Sequence, residues 1–152
     1  MAAGPMRQRL SMRSLSGFTL IELIITMVVI AVLTAIAIPN YTAYIQRSNR
    51  SEARSALLEG ATWMERWRTQ TGVYGDTTAT PTVAPAAFPF AQVPATGTAK
   101  YTIAAPTIAA AGIGYLITAT PVGAMAADPC GAFSINETGQ RLPAAPAYCW
   151  SR

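Results

Sequence analysis

One stretch near the start of the chain is apolar at almost every position. Residues 18–38 read FTLIELIITMVVIAVLTAIAI and contain neither glycine nor proline, with Glu22 as their one charge. As an α-helix, a segment of this length extends about 31 Å at about 1.5 Å per residue, which matches the hydrocarbon thickness of a bilayer. The pattern therefore predicts a helix that can cross a membrane.

Beyond Pro39 the apolar positions recur with the period of a helix that buries one face. Charged residues such as Arg50 and Arg54 fall mostly off this stripe, and Gly72 follows as a C-terminal cap. We expect one helix over residues 18–71, bent at Pro39 because proline lacks an amide donor. The stripe consists of Ala53, Leu57, Gly60, Met64 and Trp67.

The second half of the chain predicts a loop followed by a small sheet. Residues 73–99 carry several prolines among alanines and threonines, which indicates an irregular connection that Phe88 and Phe90 hold against the sheet. A turn at residues 136–139 joins the last two strands. The fold class predicted is α+β, a long N-terminal helix packed on a small antiparallel sheet head in the form of a lollipop. Alternating patterns predict the strands at 100–104, 113–120, 131–136 and 140–142.

Composition excludes several kinds of chemistry. The 152-residue chain has no histidine and two cysteines, so His-dependent catalysis and His- or Cys-only metal sites within one chain are excluded. It contains no phosphate-binding glycine loop and no nucleophile elbow. Asp76, Asp128 and Glu137, the acids of the predicted head, fall in turn sequences with no nearby base. We therefore expect no enzymatic activity, no metal site and no cofactor.

The positive charge is concentrated at the N-terminus. The net charge is +4, and Arg7, Arg9 and Arg13 supply three of these charges before Gly17, where there is no acid. A cationic segment before a membrane span stays on the cytoplasmic side. We expect the span to insert with its N-terminus in the cytoplasm and everything after Pro39 outside.

Two plainer interpretations of the apolar run remain open. A secretory signal peptide would be cleaved at residues 35–37, but its apolar core is usually about 7–15 residues long. A simple membrane anchor would leave Glu22 as an unexplained insertion cost of about 2.5–3.5 kcal/mol.

Residues 17–23, GFTLIEL, resemble the processing site of type IV prepilins. A glycine, an aromatic residue and a glutamate five positions after the glycine precede an unbroken apolar helix and Pro39. The resemblance implies that a prepilin peptidase and methyltransferase cuts after Gly17, removes the leader at 1–17 and methylates Phe18. The start codon stays open among Met1, Met6 and Met12.

The resemblance also implies a role in assembly for Glu22 and Pro39. The carboxylate of Glu22 would pair with the processed amine of Phe18, on its own helix or on a neighbouring subunit, and so be neutralised in an apolar bundle. Pro39 would mark a region where the helix partly melts during assembly. The division implied is a membrane and filament-core helix at 18–38, an amphipathic half at 39–71 and a globular head at 72–152.

The C-terminal region resembles that of minor pilins of the PilE and ComP kind. It contains Asp128-Pro129-Cys130-Gly131 and, further on, Cys149-Trp150. We expect a disulfide between Cys130 and Cys149, bounding a region at 130–149, because both cysteines should lie outside the cytoplasm. Closing this loop would stabilise the head by about 3 kcal/mol in the entropic model. Two free thiols are the alternative.

The prediction that follows is a structural subunit of a type IV pilus, a minor pilin in assembly, twitching motility, attachment or DNA uptake. It would wait in the bacterial inner membrane among lipids, with a periplasmic head. The assembly platform would then add it to an extracellular filament of itself and other pilins. The alternatives are a type II secretion pseudopilin, which the C-terminal cysteine pair disfavours, and a DNA-binding receptor pilin for natural transformation. Candidate DNA contacts are Arg66, Arg68, Lys100 and Arg141.

Overall fold

A computed structural model describes residues 17–77, 81–144 and 146–151, so the predicted leader lies outside the described residues except for Gly17. The chain divides into two compact units, residues 1–40 and 41–152, which are called the first and second unit below. The elements are α1 (Leu20–Thr71), β1 (Gln92–Val93), β2 (Tyr101–Ile103), β3 (Thr107–Ile108), β4 (Tyr115–Pro121), β5 (Phe133–Asn136) and β6 (Arg141–Leu142).

Every described residue of the first unit is exposed. The apolar part of α1 is long and apolar enough to cross a membrane, by length and composition, with a mean hydropathy of 2.8 over its most apolar window. Its polar side chains bond to the helix backbone: the hydroxyl of Thr26 donates to the carbonyl of Leu23 at 2.8 Å and that of Thr34 to the carbonyl of Ile30 at 2.9 Å. α1 runs on through Pro39, and the bend there stays a prediction.

The strands form one antiparallel sheet in the second unit, ordered β1-β2-β4-β5-β6, and β3 pairs with the first residues of β4. In the register of the two central strands, Ile117 lies opposite Ile135 and Ala119 opposite Phe133. The α+β prediction and its four strands are confirmed. Two further strands, β1 and β3, have only two residues each and were not predicted, and β1 lies inside the segment expected to be irregular.

The core of the second unit lies between this sheet and the predicted apolar stripe. Ala53, Leu57 and Met64 of α1 are fully buried in one cluster with the inward side chains of β2, β4 and β5. The helix comes close to the sheet at Gly60, where an added Cβ would meet Ile117 Cδ1 at 3.3 Å. Phe88 packs against the same core, as does Phe90, so the loop is held where the sequence predicted.

Candidate functional site

A buried ion pair joins α1 to the segment between β4 and β5. The Nε of Arg50 donates to both carboxylate oxygens of Asp128, at 3.0 and 2.8 Å, and its Nη2 donates to Oδ1 at 2.7 Å. Arg50 is 8% exposed and Asp128 7%. Such a forked contact is the strong form of an arginine–carboxylate pair. The expectation that Arg50 falls off the buried stripe was wrong, whereas Asp128 does lie in a turn, as predicted, and is in addition buried against α1.

The same carboxylate organises the cysteine-bounded region. It accepts hydrogen bonds from the Tyr101 hydroxyl and from the amide of Cys130, each at 3.0 Å, and Cys130 is bonded to Cys149. Burial alone would raise the pKa of Asp128, but the bonds from Arg50, the Cys130 amide and Tyr101 outweigh it and hold the pKa below its usual value. The hydrogen bond to Asp128 raises the pKa of Arg50. Asp128 is therefore a charged group, and its hydrogen bonds link the disulfide-bonded Cys130 to Arg50 of α1.

Acid should weaken the second unit through this carboxylate. Because the pKa of Asp128 is lowered by folding, the unfolded chain takes up its proton at a higher pH, near 3.9. The stabilisation is present above that pH and is lost as the pH falls through the lower, folded value. We expect urea unfolding of the full chain in detergent to show this loss as the pH is lowered below about 4. Asp128→Asn, though less stable overall, should show a smaller loss, and an equal acid loss in both proteins would contradict the assignment.

A second network surrounds one of the predicted DNA contacts. Glu65 accepts from the hydroxyl of Tyr74 at 2.9 Å and from that of Tyr115 at 3.4 Å. Tyr74 in turn accepts from Nη1 of Arg68 at 3.1 Å, and the guanidinium lies 4.8 Å from the centre of its ring. Burial, more than any other cause, raises the pKa of Tyr115. Arg68 is thus held in a structural network at the end of α1.

The four predicted DNA contacts are spread over α1, the residue before β2, and β6, and their grouping into a patch stays a prediction. Arg66 is exposed on α1, Lys100 precedes β2, and Arg141 lies in β6 with its guanidinium 5.5 Å from the Trp150 ring centre. Two strands separate β2 from β6, which places Lys100 and Arg141 about 14 Å apart across the sheet. Among the described residues there is also no cluster of three side chains of the kinds that ligate metals.

A different basic site opens beside α1, and sequence analysis missed it. It is a groove of about 900 Å³, here called the arginine groove. Arg47, Arg50 and Arg54 lie on one side of the helix at spacings of three and four, which is the sequence signal that could have revealed it. Among the described residues, only Arg50 of these three has a carboxylate within 4.0 Å. The groove is lined by Tyr44, Arg47, Ser48, Arg50, Ser51, Arg54, Tyr148 and Ser151.

The predicted processing residues lie at the start of the described chain. Gly17 and Phe18 precede α1, and Phe18 is 83% exposed. The hydroxyl oxygen of Thr19 accepts a hydrogen bond from the amide of Glu22 at 3.3 Å. This contact and the Thr-x-x-Glu spacing are those of a capping box, which gives Glu22 a place in the helix start beside its predicted role in assembly.

Comparison with known proteins gives two adjoining matches. Residues 12–38 match the prokaryotic N-terminal methylation motif, and residues 39–134 match the family described as type IV minor pilin ComP, DNA uptake sequence receptor. The type IV major pilin PilA of Myxococcus xanthus is 54% identical over 41 residues, which cover 27% of this chain and 19% of that one. The wide pilus major component PilA4 of Thermus thermophilus is 36% identical over 63 residues, covering 41% and 48%.

The chain thus spans less than half the length of these curated relatives. A solved type IV pilin from Shewanella oneidensis is 27% identical, covers 70% of this chain and 99% of its own, and has a TM-score of 0.48. A methylation motif that includes an exposed apolar helix, followed by a helix-packed antiparallel sheet, is the arrangement of the pilin class. The family match covers well over half of the sequence, and the chain belongs to the ComP family of type IV minor pilins.

Proposed function

We propose that the protein is a structural subunit of a type IV pilus, a minor pilin that takes part in assembly, twitching motility, attachment or DNA uptake. The observation that carries the proposal is the uninterrupted exposure of the apolar side chains over residues 18–38. An apolar surface of this length needs lipid or neighbouring helices to cover it. The match of residues 12–38, which include this segment, to a methylation motif supports its retention after processing.

The proposed sequence of events begins in the inner membrane. A prepilin peptidase and methyltransferase cuts after Gly17 and methylates Phe18, with the second unit on the periplasmic side. The assembly platform then passes the subunit into a filament of itself and other pilins, where lipid is replaced by neighbouring apolar helices. In this filament Glu22 pairs with a Phe18 amine, and Pro39 marks a locally melted region.

Mass spectrometry of the chain's N-terminus tests processing and location together. We expect the protein recovered from sheared surface fibres to begin with N-methylated Phe18. Detection of the C-terminal peptide that contains Cys130 and Cys149 in the same sample would show that the rest of the chain is present. Recovery from surface fibres would also separate a pilus subunit from a periplasmic secretion pseudopilin. A product that begins near Asn40 would contradict the proposal, because the apolar segment would then have been discarded as a signal peptide.

Reception of DNA is the second candidate function, and the match of residues 39–134 favours it. In this function Lys100 and Arg141, which are about 14 Å apart across the sheet, would make separate contacts to the duplex. Fluorescence anisotropy of labelled duplex with the full chain in detergent should then show binding that weakens with salt. Absence of salt-dependent binding at micromolar protein would remove this function and leave the structural one intact.

A further inference from the structure

Among the described residues, two of the three arginines that line the arginine groove have no carboxylate partner. Three arginines contribute three charges, and Asp128 cancels one through Arg50. The Nε of Arg47 donates to the carbonyl of Ala43 at 3.2 Å, which leaves its terminal nitrogens directed to no described partner. From the described side chains, the groove therefore carries two positive charges that are free to attract an anion.

Arg54 strengthens this conclusion from the other end of the groove. Its Nε donates to the carbonyl of Arg50 and one terminal nitrogen donates to the carbonyl of Ser151, so backbone contacts hold the guanidinium in place. Burial and then the neighbouring Arg50 charge lower the pKa of Arg54. Arg47 and Arg54 are two helical turns apart, about 10.5 Å along α1, with Ser51 between them.

These donors fit a phosphate group. Two guanidinium groups supply paired N–H donors that match phosphate oxygens, and the hydroxyls of Ser48 and Ser51 add neutral donors between them. Tyr148, on the C-terminal side of the groove, is 54% exposed and lies 5.9 Å from the Arg50 guanidinium, measured to its ring centre. The groove thus offers an exposed aromatic ring beside Arg50, which lies between the two unpaired arginines in sequence.

The position of the groove in the sequence favours a lipid as the source of the phosphate. Tyr44 is the sixth residue after Ile38, where the apolar run ends, and Tyr41 and Tyr44 are 67% and 63% exposed. Tyrosine is enriched at the level of lipid headgroups, and basic residues just beyond a span attract anionic lipids. A nucleic acid would need more cations than the two net charges found here.

We propose that the arginine groove binds the phosphodiester of an anionic phospholipid while the subunit waits in the membrane. This rests on the proposed membrane insertion of residues 18–38, and it adds a lipid-specific site to that stage. Arg47 and Arg54 hold the phosphate, Ser48 and Ser51 donate to its oxygens, and Tyr148 covers the glycerol part. Extraction into the filament would release the lipid.

Native mass spectrometry of the full chain in detergent tests the site. With equal amounts of phosphatidylglycerol and phosphatidylcholine added, we expect the wild type to retain phosphatidylglycerol with a preference of about tenfold. Arg47→Gln with Arg54→Gln should lose the preference. Arg66→Gln with Arg141→Gln removes the same charge outside the groove and should keep it. A wild type without preference, or equal losses in both double variants, would overturn the inference.

Two further measurements separate failure of the proposed membrane insertion from failure of the proposed lipid site. Alkaline carbonate extraction of membranes reports insertion: release of the wild type would refute the membrane stage of the proposed function. Retention without a preference for phosphatidylglycerol would refute the groove alone. Inorganic phosphate or a short DNA duplex that displaces phosphatidylglycerol, with binding that depends on Arg47 and Arg54, would overturn the assignment to lipid.

Discussion

Replacing Arg50 by methionine should destabilise the second unit by about 3–5 kcal/mol. The change leaves the carboxylate of Asp128 buried, with the Tyr101 hydroxyl and the Cys130 amide as its remaining donors. An uncompensated charge in that position is costly because the surroundings cannot solvate it. Urea unfolding of the full chain in detergent, followed by near-ultraviolet circular dichroism, would measure the loss.

A double-mutant cycle separates the lost charge pair from lost packing. Asp128→Asn should also destabilise strongly, because Arg50 then loses its counter-charge, whereas the double variant Arg50→Met with Asp128→Asn buries no unpaired charge. We expect the double variant to lose clearly less than the sum of the two single losses. Arg66→Met, at an exposed position of the same helix, should change stability by no more than about 0.5 kcal/mol. If the two single losses of stability simply add, the charge interaction between Arg50 and Asp128 contributes nothing, and the side chains stabilise the unit only by packing.

The elements that rest on local periodicity were predictable from the sequence. The apolar run and the stripe from Ala53 to Met64 repeat within a few residues, so both halves of α1 were expected, and the helix begins two residues later than predicted. The turn between β5 and β6 also followed from local chemistry. Asn136 Oδ1 accepts from the Thr138 hydroxyl and from the Gln140 amide, each at 2.8 Å, and Gly139 takes a positive φ of 75°.

Features that depend on distant partners were not predictable. Arg50 continues the buried stripe one step before Ala53, but a charge at such a position indicates solvent exposure until its partner is known. That partner, Asp128, lies 78 residues further along the chain. The two-residue strands β1 and β3 are too short to show alternation, and the register of their neighbours defines them. The arginine groove needs the C-terminal segment beside α1 and has no local signature beyond the spacing of three arginines.

Replacing Glu22 by alanine should leave membrane insertion intact and reduce the chain's recovery in sheared fibres by at least about tenfold. Removing the carboxylate makes the apolar segment easier to insert, so carbonate extraction should still find the protein in membranes. In the filament the same change leaves the Phe18 amine without its counter-charge among apolar helices. Immunoblots of membranes and of sheared fibres from the same cells would compare the two pools.

The hydrogen bond between Thr19 and Glu22 offers a competing explanation, because Glu22→Ala also alters the start of α1. Glu22→Gln keeps a side chain suited to the capping box but removes the charge, whereas Thr19→Ala removes the capping hydroxyl and keeps the charge. If charge pairing drives assembly, Glu22→Gln should fail as Glu22→Ala does, and Thr19→Ala should assemble. The reverse result, with fibres from Glu22→Gln and none from Thr19→Ala, would assign Glu22 to the helix start and end its proposed role between subunits.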